Sequence, residues 1–220
     1  MKMKSLRMKG MVLPILLTLL LNVAVLPFAK AQVAVGDILC SDGQILTPSA
    51  YPSSGATAMG VVFYVDGTGQ HGWAVALQDA GDFKWSSSPG DTPLGNYTNK
   101  RQAIYDLDGY QNTQVVRQYG NSDSYPAFYA VDFDNGWYLP ALGQLNYLYG
   151  NLVEVNAGLE VAGGTPFHMN GTWNYWSSTE YSGYRAWYLY STGELDYYAS
   201  NYNFTDYKIY IRSVRGAINF

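Results

Sequence analysis

Apolar positions follow two rhythms along this 220-residue chain. Val61-Val62-Phe63-Tyr64-Val65 and Trp73-Ala74-Val75-Ala76-Leu77 are continuous β-rich runs flanking Asp66-Gly67-Thr68-Gly69. They predict a hairpin buried on both faces and supply the strongest core signal. Before them, the short apolar stretches between Val33 and Leu46 are broken by Gly36, Asp37 and Ser41-Asp42-Gly43, which predicts a strand, a turn and a second extended piece. Pro48 to Thr57 reads as a loop. Asp79 to Lys100 is a second, longer loop rich in Gly, Ser and Pro, long enough to be either functional or folded on itself.

The rhythm then changes. Val115 and Val116 fall within a short helix predicted over Gln111 to Tyr119, with Asn112 or Thr113 as its cap. Leu142, Leu145, Leu148 and Tyr149 recur at helical spacing over Ala141 to Asn151, and Pro140 suits the first turn. Leu152 to Ala162 forms a further helical piece ended by Gly163-Gly164. Beyond it, Trp187 and Leu189 alternate with Tyr188 and Tyr190, and Ile209 and Ile211 with Tyr210 and Arg212, as in strands with one buried face. The other face of those strands is expected to present tyrosines.

The first 31 residues belong to a different category. Lys2, Lys4, Arg7 and Lys9 precede an apolar run from Met11 to about Phe28 and an Ala29-Lys30-Ala31 cleavage motif, so residues 1–31 read as a secretory signal peptide and 32–220 as one mature domain. The expected address is therefore export, to the periplasm, the outer surface or the medium. Without residues 1–31 the chain keeps 8 basic and 17 acidic residues, a net charge of −9. That excess repels phosphate backbones and anionic lipid, which argues against nucleic acid as a partner and against membrane insertion of the mature domain.

Chemistry is sparse. Cys40 is the sole cysteine, so no intrachain disulfide, redox pair or Cys-rich metal site is available, and it reads as a buried strand thiol. His71 and His168 lie in unlike contexts, the first beside the hairpin turn and the second in a loop, and neither belongs to a catalytic or metal motif. Asp132-Phe133-Asp134-Asn135-Gly136 departs from a calcium loop, its glycine one position early and Gly143 standing where the glutamate belongs. Aspartates spaced by two, there and at Asp106 and Asp108, read as turn formers. Three N-x-T sequons begin at Asn96, Asn170 and Asn203. No phosphate loop, nucleophile elbow or HExxH helix occurs, and no cofactor or metal is expected.

The tail from Trp173 to Phe220 holds ten of the 21 tyrosines, interleaved with Ser, Asn, Asp and Gly. This is the composition of adaptable binding surfaces, in which tyrosine provides amphipathic area at low entropic cost and small polar residues provide hydrogen bonds. Aromatic faces also stack on sugar rings, which keeps glycans among the expected ligands.

Gly60-x-Val62-Phe63-Tyr64, His71-Gly72, Ala76-Leu77, Gly136-Trp137-x-Leu139-Pro140 with Leu145, Tyr175-Trp176-Ser177-Ser178-Thr179-Glu180, Ala186-Trp187, Gly193 and Val214-Arg215 form an ordered set. Over residues 36 to 217 this set resembles the Legionella collagen-like protein C-terminal domain family. The resemblance implies an α+β, C-type-lectin-like fold with two helices, a small twisted, mostly antiparallel sheet and long loops. Some members of that kind are variable proteins of diversity-generating retroelements, whose mutated C-terminal segment is rich in Tyr, Asn, Ser and Asp. On that resemblance Trp176, Ser177, Ser178, Trp187, Gly193 and Val214 are scaffold. Tyr184, Tyr188, Tyr190, Tyr197, Tyr198, Asn201, Tyr202, Asn203 and Tyr207 are then the exposed ligand contacts.

The EPN or QPD and WND tripeptides of calcium-dependent lectins are absent, as is the cysteine pair of the formylglycine-generating enzymes. The expected function is non-catalytic adhesion to a protein or glycan ligand at a cell surface. Two alternatives stand beside it. One is an enzyme acting on an extracellular polymer through Glu180, Glu194 or Asp196; the other is a structural subunit of a surface assembly.

Overall fold

Three consecutive buried residues, Val61, Val62 and Phe63, cannot all face one side of a strand, so the hairpin they open has to be covered on both faces. The computed structural model describes residues 32–167, 173–199, 210–211 and 216–220, with the backbone alone at Trp173, Tyr198, Ala199, Tyr210 and Ile211. Residues 1–31, His168 and Val214 lie outside the described residues. Strands β1 (Ile38–Cys40), β2 (Ile45–Leu46), β3 (Ala58–Val65) and β4 (Gly72–Ala76) join β9 (Ala217–Asn219) in an antiparallel sheet of order β2-β1-β3-β4-β9. Cys40 is buried in β1, where its Sγ lies 3.8 Å from the Ile38 carbonyl.

Helices α1 (Lys100–Ala103), α2 (Gly109–Tyr119), α3 (Pro126–Tyr129), α4 (Leu142–Gly150) and α5 (Leu152–Val161) follow β4. Among the described residues, the two helices that the resemblance implies are thus replaced by three of nine or more residues and two of a single turn. Asp108, not Asn112 or Thr113, caps α2 by accepting from the Gln111 N–H at 3.0 Å. Asn112 and Thr113 lie inside the first turns and reach outward instead. Asn112 donates to Asp106 and Ser178, and the Thr113 hydroxyl accepts from the Leu139 N–H at 3.0 Å. Pro140 stands before α4 rather than in its first turn; its carbonyl takes the Ser178 N–H, and Ala141 is the N-cap. Helix α5 lies directly on the first sheet because Gly158 has no side chain: a Cβ there would come within 2.4 Å of the Gly36 carbonyl oxygen.

The tail builds a second sheet, so the single small sheet expected is two among the described residues. Strands β5 (Trp173–Ser182), β6 (Arg185–Tyr190) and β7 (Leu195–Ala199) are antiparallel, and β8 (Tyr210–Ile211) runs parallel to β5, giving the order β7-β6-β5-β8. Two apolar clusters share this sheet. Tyr175, Trp187, Leu189 and Leu195 join the cluster that holds Val61, Phe63, Val75, Leu145 and Leu159. Trp176, Ala186 and Tyr188 join another with Trp85, Val116, Phe128 and Leu139.

The long segment between β4 and α1 is anchored to this second sheet by indole N–H groups. Trp85 Nε1 donates to the Ser177 carbonyl at 2.8 Å, Trp176 Nε1 to that of Phe83 at 3.1 Å, and Trp187 Nε1 to that of Tyr97 at 2.7 Å. A buried indole must find an acceptor, and here the acceptors join loop to sheet. The segment is therefore folded onto the domain, and Trp85 within it is 1% exposed.

Candidate binding face

The expected one-sided exposure of the tail gives way to a different geometry. Residues Ala186 to Leu189 are all buried in β6, so Tyr188 is 5% exposed rather than displayed. The reason is the second cluster: Tyr188 packs edge-on against Trp176 at 5.8 Å and its hydroxyl reaches the Asp196 carboxylate at 3.5 Å. Burial, with the nearby Asp196 charge, pushes its phenol far above the ordinary tyrosine range. Tyr190 is half-buried beside Tyr188, with ring centroids 5.4 Å apart.

The more accessible surface comes from the opposite face of the same strands, where half-buried Tyr181 and Tyr197 pack at the edge of the first cluster and exposed Arg185 lies beyond them. Leu189 opposes Leu195 and Trp187 opposes Tyr197 in register; one step further, Arg185 opposes Ala199. Here Tyr197 stacks on Tyr181 at 3.9 Å and 18°, while Trp187 meets both rings edge-on. The exposed Arg185 guanidinium lies 5.2 Å from the Tyr197 ring centroid and 6.0 Å from that of Tyr181. Such a placement contributes about 0.5–1 kcal/mol at an exposed site. Tyr184, 67% exposed, occupies the turn between β5 and β6 next to Arg185.

Of the expected contacts, the structure puts Tyr197 on this surface and Tyr184 in the exposed turn that leads into Arg185. Tyr198 lies in β7 opposite Ala186 with only its backbone described, and Asn201, Tyr202, Asn203 and Tyr207 lie outside the described residues. Tyr181 and Arg185 belong to the face but were not among the expected contacts. Alternation carried them: Arg185 shares its side of β6 with Trp187 and Leu189, two and four residues on. The scaffold expectations for Trp176, Ser177, Ser178 and Trp187 agree with exposures of 2% or less. Gly193 adopts φ +86, and a Cβ there would lie 2.2 Å from the Tyr149 ring, which closes over the β6–β7 turn and donates its hydroxyl to the Thr192 carbonyl.

The carboxylates named for an enzyme are distributed differently. Glu180 sits on the side of β5 opposite Tyr181 and is 1% exposed. Its carboxylate accepts from the Thr92 N–H at 3.2 and 3.3 Å and from the Thr92 hydroxyl at 2.5 Å. Burial raises its pKa to about 7; the Thr92 bonds oppose that rise and the Asp91 charge adds to it. Glu194 is exposed and Asp196 half-buried in the next turn and strand. Asp106, 8% exposed, accepts from Asn112 and the Thr179 hydroxyl, and Asp132 accepts from Asn135 in its own turn. Among the described residues, no group of three or more His, Cys, Asp or Glu is placed to hold a metal ion. Among them, too, no helix is long and apolar enough to cross a membrane.

No family model matches the chain, and no curated protein does. A solved structure is similar: a fimbrial protein from Bacteroides ovatus ATCC 8483, at 17% identity and a TM-score of 0.60, covering 86% of this chain and 48% of that one. The chain spans about half the length of that protein, and the likeness is one of fold.

Proposed function

We propose that the protein is an exported, non-catalytic binding protein that presents the Tyr184, Arg185, Tyr181 and Tyr197 surface to a protein or glycan ligand at a cell surface. The observation that carries the reading is the run of aromatic and cationic side chains continuing the core stripe beyond the core. Tyrosine and arginine are the residue types that dominate binding energy when a partner covers them. The C-type-lectin-like fold and the diversified tail belong to the same proposal. They rest on the ordered motifs from Gly60 to Arg215, and the Gly193 turn and buried Trp176-Ser177-Ser178 segment are compatible with them. Sibling sequences differing mainly in the Tyr-rich tail, or a near-copy of its coding segment close by, test the diversification; finding neither removes it.

The binding test is an array of glycans and of bacterial and host surface proteins probed with the full chain, with and without calcium. A specific, calcium-independent hit weakened tenfold or more by Tyr184→Ala or Arg185→Ala, at unchanged thermal stability, supports the reading. Hits indifferent to both substitutions overturn this choice of face.

A second reading is favoured by the similar fimbrial protein: this chain is a subunit of a surface assembly. Concentration-dependent polymerisation in sedimentation velocity supports it. A chain that stays monomeric at high concentration argues for the first reading.

A further inference from the structure

A cleft of about 310 Å³ lies at the far end of the first sheet, bordered by Tyr64, Asp66, His71, Trp73, Asn219 and Phe220. Its volume is at the lower end of the range for small-ligand sites, enough for one ring-sized molecule. One wall is aromatic: Tyr64 and Trp73 stack at 4.3 Å and 26°, and Tyr147 meets the edge of Trp73 at 5.9 Å.

The polar groups at its rim have defined and complementary unused capacity. Gln144 Oε1 accepts from the backbone N–H groups of Gly109 and Ala141, which fixes its amide, so its Nε2 donates to the Tyr138 hydroxyl at 2.9 Å. The Tyr138 proton is thereby committed to Asn219 Oδ1 at 2.8 Å. This buried relay sets the orientation of the Asn219 amide and leaves both Nδ2 hydrogens free to donate. Across the cleft, Asp66 uses Oδ1 for the Thr68 N–H, the Thr68 hydroxyl and the Gly69 N–H, at 3.0, 2.6 and 3.0 Å. The Thr68 hydroxyl first, then the backbone N–H groups of Thr68, His71 and Gln70, hold its pKa below the ordinary value, so the carboxylate is charged, and Oδ2 carries none of the three bonds to Thr68 and Gly69. His71, exposed beside it, can donate or accept.

We infer that this cleft is a binding site for a single neutral sugar ring, packed against the aromatic Tyr64 and Trp73 pair with its hydroxyls bridging Asp66 Oδ2 and Asn219 Nδ2. A hydroxyl is the group that satisfies a fixed acceptor and a fixed donor at once. The Asp66 charge disfavours an anionic ligand, and the outward Asn219 N–H groups disfavour a cation. The site is formed by β3, β4 and β9 and does not depend on the role of the β5–β7 face.

Saturation-transfer NMR on the full chain, with methyl glycosides of neutral hexoses and N-acetylhexosamines and with choline as a cationic probe, tests it. Saturable binding of at least one glycoside is expected. Asn219→Asp retains the acceptor for Tyr138 but removes both donors, and Asp66→Asn removes the charge; each should weaken binding about three- to tenfold. Tyr184→Ala and Arg185→Ala should leave it unchanged, which separates this site from the other face. No saturable glycoside on a chain with unaltered thermal unfolding, tighter binding of choline than of any glycoside, or an affinity indifferent to Asn219→Asp would each overturn the assignment.

Discussion

In the first sheet, burial is achieved with aliphatic side chains: Val61 and Val75 fill the space beneath α4 and α5, and Phe63 adds a ring. In the second, Ala186, Trp187, Tyr188 and Leu189 are buried in succession, and large rings fill both sides. Aliphatic strands need only shape and area. Aromatic strands with polar tips need partners as well, and the second sheet draws them from the loop before α1 and from Asp196. Away from the Tyr64 and Trp73 cleft the first sheet is thus a packing unit, whereas the apolar stripe of the second leads to an accessible edge at Arg185.

The sharpest break in this contrast is Trp176→Ala, expected to cost about 4 kcal/mol in chemical denaturation by opening a cavity and orphaning the Phe83 carbonyl. Val61→Ala, which removes area from the first sheet and disturbs no hydrogen bond, should cost about 2 kcal/mol. Equal costs would erase the distinction. Gly193→Ala follows, with a loss of about 1–3 kcal/mol from its left-handed backbone and the overlying Tyr149 ring.

Glu180 sharpens the contrast through pH. Its folded pKa, about 7, lies above the 4.5 of an unperturbed glutamate. The folded state therefore holds the proton more tightly than the unfolded chain. The stabilisation this gives is complete below about pH 4.5 and is lost as pH rises through 7. Glu180→Gln keeps one acceptor oxygen for Thr92 and should remove a decline of about 2 kcal/mol between pH 5 and pH 8. Thermal melts across that range check it. The smallest effect is expected at Tyr184→Ala, within about 0.5 kcal/mol of the parent. Tyr188→Ala, by contrast, should cost about 3 kcal/mol, because its ring lies in the core.

Elements were legible where one local signal decided them. The β3–β4 hairpin, buried Cys40, and helices α2, α4 and α5 follow from apolar runs and periodicity, and the structure moves their ends by only a few residues. Caps were less legible, since Asn112, Thr113 and Asp108 are all competent cap residues and tertiary partners decided among them. The face of β6 was misread for the same reason. Alternation of Trp187 and Leu189 with Tyr188 and Tyr190 shows that the strand has two sides, but not that a second cluster built from Trp85, Phe128 and Trp176 covers the other one. Alternation puts Arg185 on the side of Trp187 and Leu189, but it does not record where the core ends on that side, and the role of Arg185 and Tyr181 depends on that.

The indole anchors carry a further consequence, for evolvability. Trp176 and Trp187 hold the long loop by the carbonyls of residues 83 and 97, groups that every amino acid supplies. The side chain at exposed position 83 can therefore drift without undoing the attachment, whereas that of Tyr97 also packs against the first cluster. The loop is free to change its surface chemistry while its path over the second sheet is kept.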